Sequence, residues 1–264
     1  MIFIGEKINS SIPASKAFIE ARNDDAICAL AKAQREAGAD FIDINAGAFL
    51  AKEAEYLAYL ARTVEALGMP LSVDTPSVPA ARAALEAASS RGHLINSVTT
   101  DETRLSGMGE LAVSYGCGVV ALCSPNLGEE NTLENRLGAA QVLVKRLTAM
   151  GIAEDGIYLD PMLGPVGAEP NAALDALETI RRLRAEYPSC HISCGLSNLS
   201  FGLPKRRLLG QAFLAAAVVA GLDAAIADPL NRELMGIAAA SEVIAGRDEY
   251  CMEYIEKCRG GQIG

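Results

Sequence analysis

Short apolar runs alternate with longer amphipathic segments along the whole chain. Between the short runs, apolar residues recur at i, i+3, i+4 and i+7, which is the spacing of one face of a helix. This alternation predicts strand–helix units repeated around a parallel sheet. The predicted strands cover residues 2–5, 41–44, 71–73, 94–95, 118–122, 157–159, 191–194 and 224–226.

Glycines fall just past the amphipathic segments, where a helix favours a left-handed residue after its last turn. Eight units without a long linker favour an α/β fold closed into a (β/α)8 TIM barrel, with residues 1–264 as a single domain. A doubly wound open sheet is the alternative, since periodicity alone fits it as well. The predicted helices cover residues 26–37, 53–67, 79–89, 102–115, 133–150, 172–184, 206–219 and 233–245, and the glycines are Gly38, Gly68, Gly92, Gly116, Gly151 and Gly221.

Composition indicates a cytoplasmic protein without a membrane partner. Half of the 264 residues are hydrophobic, and the longest apolar run, residues 213–221, is far below the roughly 18 to 20 residues that span a bilayer. The seven cysteines are odd in number and scattered through a chain long enough to fold alone. They are therefore predicted to be free thiols.

The net charge of −10 makes nucleic acid an unfavourable partner, because phosphate backbones would be repelled. Local basic clusters occur at 181–184 and 205–207, and both are interpreted as solvated helix faces.

Polar side chains follow nearly every predicted strand. In a TIM barrel the carboxyl ends of the strands form the reactive face. The set is almost wholly Asp, Asn, Glu and Ser, which suits the amide-like and amidine-like edge of a pterin or a guanine-like ring. Each residue alone could equally cap a helix or form a turn, and the repetition is what favours a binding site. The members are Glu6, Asp43, Asn45, Asp74, Asn96, Cys123, Asp160, Ser197, Asn198 and Asp228.

Several other site classes lack their residues. The chain has only two histidines and no His-x-His or His-Glu-x-x-His motif, so no metal site is predicted. Cys190, His191 and Cys194 are close in sequence, but on a strand they would point to alternate faces. Neither a P-loop nor a dinucleotide fingerprint occurs, and no Ser-His-Asp set is apparent. Cys123 is interpreted as a small buried residue rather than a nucleophile.

The polar motifs taken together resemble those of the pterin-binding methyltransferases. This group includes methyltetrahydrofolate:corrinoid methyltransferases, the folate domain of cobalamin-dependent methionine synthase and methyltransferase II of corrinoid demethylase systems. The resemblance covers essentially the whole chain, and the Leu-Ser-Asn-x-Ser segment after the seventh strand is its most specific part. The motifs lie at residues 4–9, 41–45, 72–74, 95–97, 158–161, 195–204 and 221–226.

The resemblance implies a TIM barrel that binds tetrahydrofolate at its strand ends, forms a homodimer and works with a protein that carries cobalamin. It implies that Asp74, Asn96 and Asp160 hold the pyrimidine edge of the pterin, and that Asn198 is the catalytic amide near N5. Two positions depart from the pattern, since Lys7 stands where Arg is frequent and Ser10 where Gly is frequent. The remaining folate-binding residues that it implies are Glu6, Gly195, Ser197 and Arg206, the last for the aminobenzoyl-glutamate tail.

The expected reaction is methyl transfer between a corrinoid protein and N5 of tetrahydrofolate. Residues 200–204 resemble the demethylase-system enzymes more, which favours tetrahydrofolate as the methyl acceptor. The reverse reaction, from 5-methyltetrahydrofolate to a cobalt(I) corrinoid/iron–sulfur protein, is the alternative. A dihydropteroate synthase ranks lower because its phosphate-binding features and its Thr-Asn-Pro-type first loop are missing. A folate-binding barrel without chemistry and a barrel enzyme acting on another heterocycle also remain open.

Overall fold

A computed structural model describes residues 1–125 and 128–263 of the chain. Within them, eight parallel strands pair in sequence order and the eighth pairs with the first. The closed barrel predicted from the alternation is therefore confirmed. The strands are β1 (Ile2–Asn9), β2 (Phe41–Asn45), β3 (Leu71–Asp74), β4 (Leu94–Val98), β5 (Gly118–Leu122), β6 (Ile157–Asp160), β7 (His191–Gly195) and β8 (Ala224–Ala227).

Each predicted helix is present, and two short helices were not predicted. Those two, α1 and α10, have eight residues each, too few for a clear apolar period, and α10 buries none of its residues. None of the described helices has both the length and the apolar character needed to cross a bilayer. The helices are α1 (Pro13–Glu20), α2 (Asp24–Glu36), α3 (Glu53–Glu65), α4 (Val78–Ala87), α5 (Glu102–Tyr115), α6 (Leu133–Ala149), α7 (Ala172–Glu186), α8 (Arg206–Ala220), α9 (Arg232–Ile244) and α10 (Met252–Arg259).

Two strands, β1 and β4, run at least three residues further than their apolar residues predict. The register between β1 and β2 shifts between Gly5 and Ile8, and beyond the shift Ile8 pairs with Ile44. Glu6 consequently lies inside β1 rather than after it. In the same way β4 continues through Asn96, which pairs with Asp74 of β3. The ladder therefore places these polar residues on the barrel wall instead of in loops.

The prediction that a glycine follows the end of each helix holds at Gly116 and is wrong at Gly92. Gly116 ends α5 in the left-handed conformation, with φ of 63°. Gly92 does not end a helix, because α4 already stops at Ala87 and its cap Ala88 is extended. Gly92 instead lies in the loop before β4, where its φ of 82° still favours glycine.

The apolar residues form two layers that define the inside of the barrel. The larger cluster lies between the helices and the outward side chains of the strands, such as Ile42, Val73 and Ile192. The smaller cluster fills the barrel interior with Ile4, Leu94, Val120, Tyr158 and Ala224. Because side chains alternate along a strand, the residue two places further on also points inward. That relation brings polar residues to the carboxyl end of the interior.

Candidate active site

The inward positions above the interior apolar cluster are occupied by polar residues. Glu6 follows Ile4 by two places, Asn96 follows Leu94, and Asp160 follows Tyr158. On β3 the outward Leu71 and Val73 leave Ser72 and Asp74 facing inward. The fold thus brings the predicted residues from separate strands to one end of the barrel. The apolar cluster closes the barrel beneath them.

Asp74 and Asn96 stand side by side and are both contacted from β2. Their Cα atoms are partners in the β3–β4 ladder. Asn45 donates from Nδ2 to Asp74 Oδ2 at 2.9 Å, and Asn96 donates from Nδ2 to Asp43 Oδ1 at 3.2 Å. Burial raises the pKa of Asp74 despite the amide donor and the nearby Arg104 guanidinium. The pair therefore forms a pre-arranged set of acceptors with little access to solvent.

Asp160 lies two strands away from Asn96, at the end of β6. Its Oδ1 accepts the backbone N–H of Met162 at 2.8 Å, and only 7% of the residue is exposed. Burial is the dominant effect and raises the pKa of Asp160 to about 6. The carboxylate is thus poorly solvated, and ring N–H groups that approach it would supply the hydrogen bonds that water does not.

Glu6, Ser197 and Arg206 form a second group that holds the segment after β7. Ser197 Oγ donates to Glu6 Oε1 at 2.7 Å, and Arg206 Nη2 donates to the Ser197 carbonyl at 2.7 Å. Arg206 Nε also donates to Ser200 Oγ at 3.3 Å. Burial raises the pKa of Glu6, against the effect of the hydroxyl donor. Arg206 is therefore already engaged in fixing this segment, in addition to the tail contact predicted for it.

A cavity of about 220 Å³ lies beside this second group. Glu6, Ser197 and Arg206 line it together with Lys7 and Asp228, whose charges meet at 3.1 Å between Nζ and Oδ2. Asp74, Asn96 and Asp160 do not line it. The structure therefore divides the predicted residues into two neighbouring parts, a set of buried acceptors in the barrel mouth and a charged cavity beside β1 and β8.

Asn198 is carried on a short 3-10 turn, Leu196–Asn198, directly after β7. Leu196 and Leu199 are buried and anchor both ends of this turn, so Ser197 and Asn198 between them are exposed at the mouth. The amide of Asn198 packs over Gly195: a Cβ built on Gly195 would lie 3.2 Å from Asn198 Nδ2. The Asn198 amide can occupy this position because residue 195 has no side chain.

Replacing Gly195 with alanine is expected to displace the Asn198 amide. The added Cβ is in a tighter contact than side chains normally accept, and the flexible amide is the group that can move. If Asn198 acts at the reacting atom, a displacement of this size lowers the single-turnover methyl-transfer rate about tenfold, with a smaller effect on tetrahydrofolate affinity. Stopped-flow absorbance and calorimetry measure the two quantities.

Gly138→Ala is the matched control for this substitution. Gly138 lies on the exposed side of α6, and a Cβ there meets nothing within 4 Å. Equal transfer rates in Gly195→Ala and Gly138→Ala would contradict the role of Gly195.

Two residues that complete the site were not assigned to it from sequence. Asp43 and Asn45 were noted as polar positions near the end of the second strand, but they were not placed among the folate-binding residues. Their alternation with Ile42 and Ile44 puts both on the inner face of the barrel. This alternation is the feature of the sequence that could have identified them as site residues. Their contacts with Asn96 and Asp74 depend on the register between strands, which the sequence alone does not specify.

The cysteines and the histidine that the sequence did not assign to a site have structural roles. Cys123 is fully buried, and burial raises the pKa of its thiol, so the interpretation as a small core residue is confirmed. His191 Nδ1 lies 3.0 Å from Asp223 Oδ2, and its ring stacks on Tyr158. Cys190 and Cys194 are buried. In the part of the chain that the structure describes, no three His, Cys, Asp or Glu side chains are grouped as metal ligands would be.

Known proteins are similar to this chain over most of its length. The profile of the family described as pterin binding enzyme matches residues 12–228. The chain is 34% identical to a methylcorrinoid:tetrahydrofolate methyltransferase of Eubacterium limosum, over 100% of this chain and 98% of that protein. It is 30% identical to a methionine synthase of Mycobacterium leprae, over 88% of this chain but 21% of the synthase.

Solved structures share the fold. The crystal structure of the Yersinia pestis dihydropteroate synthase superposes with a TM-score of 0.65 and 20% identity, covering 93% of each chain. This likeness confirms the barrel. The profile match and the full-length identity together confirm the resemblance found in the motifs, and the chain belongs to the family of pterin-binding enzymes.

Proposed function

We propose that the protein transfers a methyl group from a methylated corrinoid protein to N5 of tetrahydrofolate. One observation carries the proposal: the chain is 34% identical to the methylcorrinoid:tetrahydrofolate methyltransferase of Eubacterium limosum, and the match covers 100% of this chain and 98% of that protein. The buried acceptors at the barrel mouth give this proposal its chemistry. The match to methionine synthase is consistent with a folate-binding role for the same barrel.

In this proposal the pyrimidine edge of the pterin lies against Asp74, Asn96 and Asp160. Carboxylates accept paired N–H groups from a 2-amino-N3-H edge, and each of these residues presents an acceptor from a poorly solvated position. A flat ring held on this edge would leave its reacting nitrogen towards the β7 end of the barrel, where Asn198 is exposed. The pterin is thus oriented by hydrogen bonds rather than by charge pairs.

Asn198 is proposed to act at N5. When its carbonyl oxygen accepts the N5–H, the nitrogen lone pair is directed at the incoming methyl carbon. The new N–C bond forms as the carbon–cobalt bond breaks, the bonding electrons stay with the corrinoid, and the N5 proton leaves to solvent. In the reverse direction the amide Nδ2 would donate to N5 as charge develops on it, which stabilises the transition state more than the ground state.

The cobalt and its reactivity are proposed to come from a corrinoid carried by a partner protein. The residues of this chain bind and orient the folate, and the open mouth of the barrel gives the partner access. Arg206 is proposed to interact with the carboxylates of the aminobenzoyl-glutamate tail, using the donors left after its contacts with Ser197 and Ser200. A homodimer, a cytoplasmic location and the lack of nucleic-acid and membrane partners stay predictions from sequence.

Mixing the protein with tetrahydrofolate and a methylated donor tests the proposal. Methylcobalamin and several purified methylated corrinoid proteins serve as donors, and the loss of methyl from cobalt is followed in the ultraviolet–visible spectrum. We expect a spectral change that requires both the protein and tetrahydrofolate. Calorimetry without any tetrahydrofolate binding would contradict the pterin site, while binding with no spectral change for any donor would contradict methyl transfer.

A further inference from the structure

The amide of Asn96 can sit in two orientations that differ in what they show to a ligand. One presents the carbonyl oxygen, an acceptor, and the other presents the NH2 group, a donor. In the structure Nδ2 lies 3.2 Å from Asp43 Oδ1, so the NH2 group faces Asp43. The acceptor is then left for the rest of the site.

Asp43 Oδ1 is committed as an acceptor by a second contact. Ser72 Oγ donates to the same oxygen at 2.6 Å, within the barrel interior. Turning the Asn96 amide over would place its carbonyl oxygen against Asp43 Oδ1, two acceptors with no hydrogen between them. Such a contact costs about as much as a lost buried hydrogen bond. The Ser72–Asp43 bond therefore selects one orientation of Asn96.

We propose that Asp43 is a positioning residue that fixes the Asn96 amide with its carbonyl oxygen towards the pterin. The inference rests on the proposed function, since it concerns how the same site recognises ring N–H groups. Asn45, the next inward residue on β2, is oriented in a similar way. Its Oδ1 accepts from Ser10 Oγ and Gly47 N, which leaves its Nδ2 for Asp74. Strand β2 thus sets the orientation of Asn96 and of Asp74, two of the residues proposed to bind the pterin edge.

The environment of Asp43 suits this role. Only 2% of the residue is exposed, and it makes no ion pair within the described residues. Burial, together with the nearby Asp74 charge, raises the pKa of Asp43 well above its ordinary value. A neutral carboxyl group with its proton on Oδ2 keeps Oδ1 as an acceptor. In that form the orientation of Asn96 is the same as with a charged Asp43.

Substitutions that keep or remove the acceptor separate this role from simple packing. Asp43→Asn retains an oxygen acceptor and is expected to bind tetrahydrofolate within about threefold of the original protein. Asp43→Leu keeps the branch at Cγ but has no acceptor, and its affinity is expected to fall by about tenfold or more. Calorimetry measures both affinities, and the transfer rate at saturating folate is expected to fall less than the affinity in Asp43→Leu.

A second substitution at Asn96 gives the decisive comparison. Aspartate at position 96 presents an oxygen in either orientation, so it no longer needs to be positioned. The double variant Asp43→Leu with Asn96→Asp is therefore expected to recover at least about half of the lost binding free energy, roughly a threefold gain over Asp43→Leu alone. A packing role for Asp43 predicts the opposite, because a carboxylate added beside leucine would be buried without a partner.

Each outcome supports or overturns the inference. Equal affinity of Asp43→Leu and the original protein, or no recovery in the double variant, overturns it. Should Asp43→Leu fail to fold by circular dichroism, Asp43→Ala is measured in the same way with and without Asn96→Asp. Absence of tetrahydrofolate binding by the original protein would instead overturn the proposed function, and the two failures are thus distinguished.

Discussion

Asn198→Ala is expected to lower the rate of methyl transfer by about 10²- to 10³-fold, the cost of losing one donor or acceptor placed at a reacting atom. Asn198 is exposed on its 3-10 turn and is held between two buried leucines, so its truncation removes little packing. Tetrahydrofolate affinity is expected to stay within about threefold, because other residues are proposed to bind the pterin edge. Single-turnover absorbance changes and calorimetry separate the two effects.

Asn171→Ala is the matched control for the Asn198 substitution. Asn171 is an exposed asparagine that precedes α7, and its side chain makes no capping hydrogen bond. We expect this variant to transfer methyl at the original rate. A wild-type rate in Asn198→Ala would show that the amide does not act at N5.

Asp160→Asn is expected to weaken tetrahydrofolate binding by about 1 to 3 kcal/mol at neutral pH, or about 5- to 150-fold. The carboxylate offers acceptors on both oxygens, whereas the amide presents a donor in place of one of them. Because the site is buried, solvent does not compensate for the mismatch. The transfer rate at saturating folate is expected to fall much less than the affinity.

The same residue predicts a pH dependence of binding. Burial raises the pKa of Asp160 in the free protein to about 6, and the ring N–H groups that are proposed to contact it would favour its ionised form. As pH falls through about 6, protons compete with the ligand, and affinity is expected to drop up to about tenfold per pH unit. Above that pH the contribution of Asp160 is constant. Calorimetry from pH 5 to pH 8 gives the profile.

In Asp160→Asn the pH dependence of tetrahydrofolate affinity that is due to this carboxylate should disappear. Asp74 and Glu6, whose pKa values are also raised by burial, remain as sources of pH dependence. Asp155→Asn is the matched control, since Asp155 is an exposed acid on the short turn before β6. Identical profiles for Asp160→Asn and the original protein would rule out Asp160 as a group that must be ionised to bind the pterin.

The two-part division of the site changes the interpretation of Arg206. The sequence resemblance predicts a contact with the folate tail, and the structure adds a role in holding the turn that carries Asn198, through the Ser197 carbonyl. Glu6 supports the same turn from β1 through the Ser197 hydroxyl. Substitutions at either residue are therefore expected to affect the position of Asn198 as well as folate affinity.

The sequence by itself determined the barrel and most of the polar residues at its mouth. Eight apolar runs separated by amphipathic helices leave few arrangements, and alternation along each strand decides which side chains point inward. Asp74, Asn96 and Asp160 could be identified because each stands at the end of a strand-like run. The short helices α1 and α10 could not be predicted, since eight residues carry too little periodicity.

Only the tertiary structure decided which of these residues touch. The contacts of Asp43 with Asn96, of Asn45 with Asp74 and of Glu6 with Ser197 join residues 53, 29 and 191 positions apart. Each depends on strand register and on burial, and a shift of one residue would turn every inward side chain outward. The shifted pKa values have the same origin, because desolvation is a property of the closed barrel and not of any local segment.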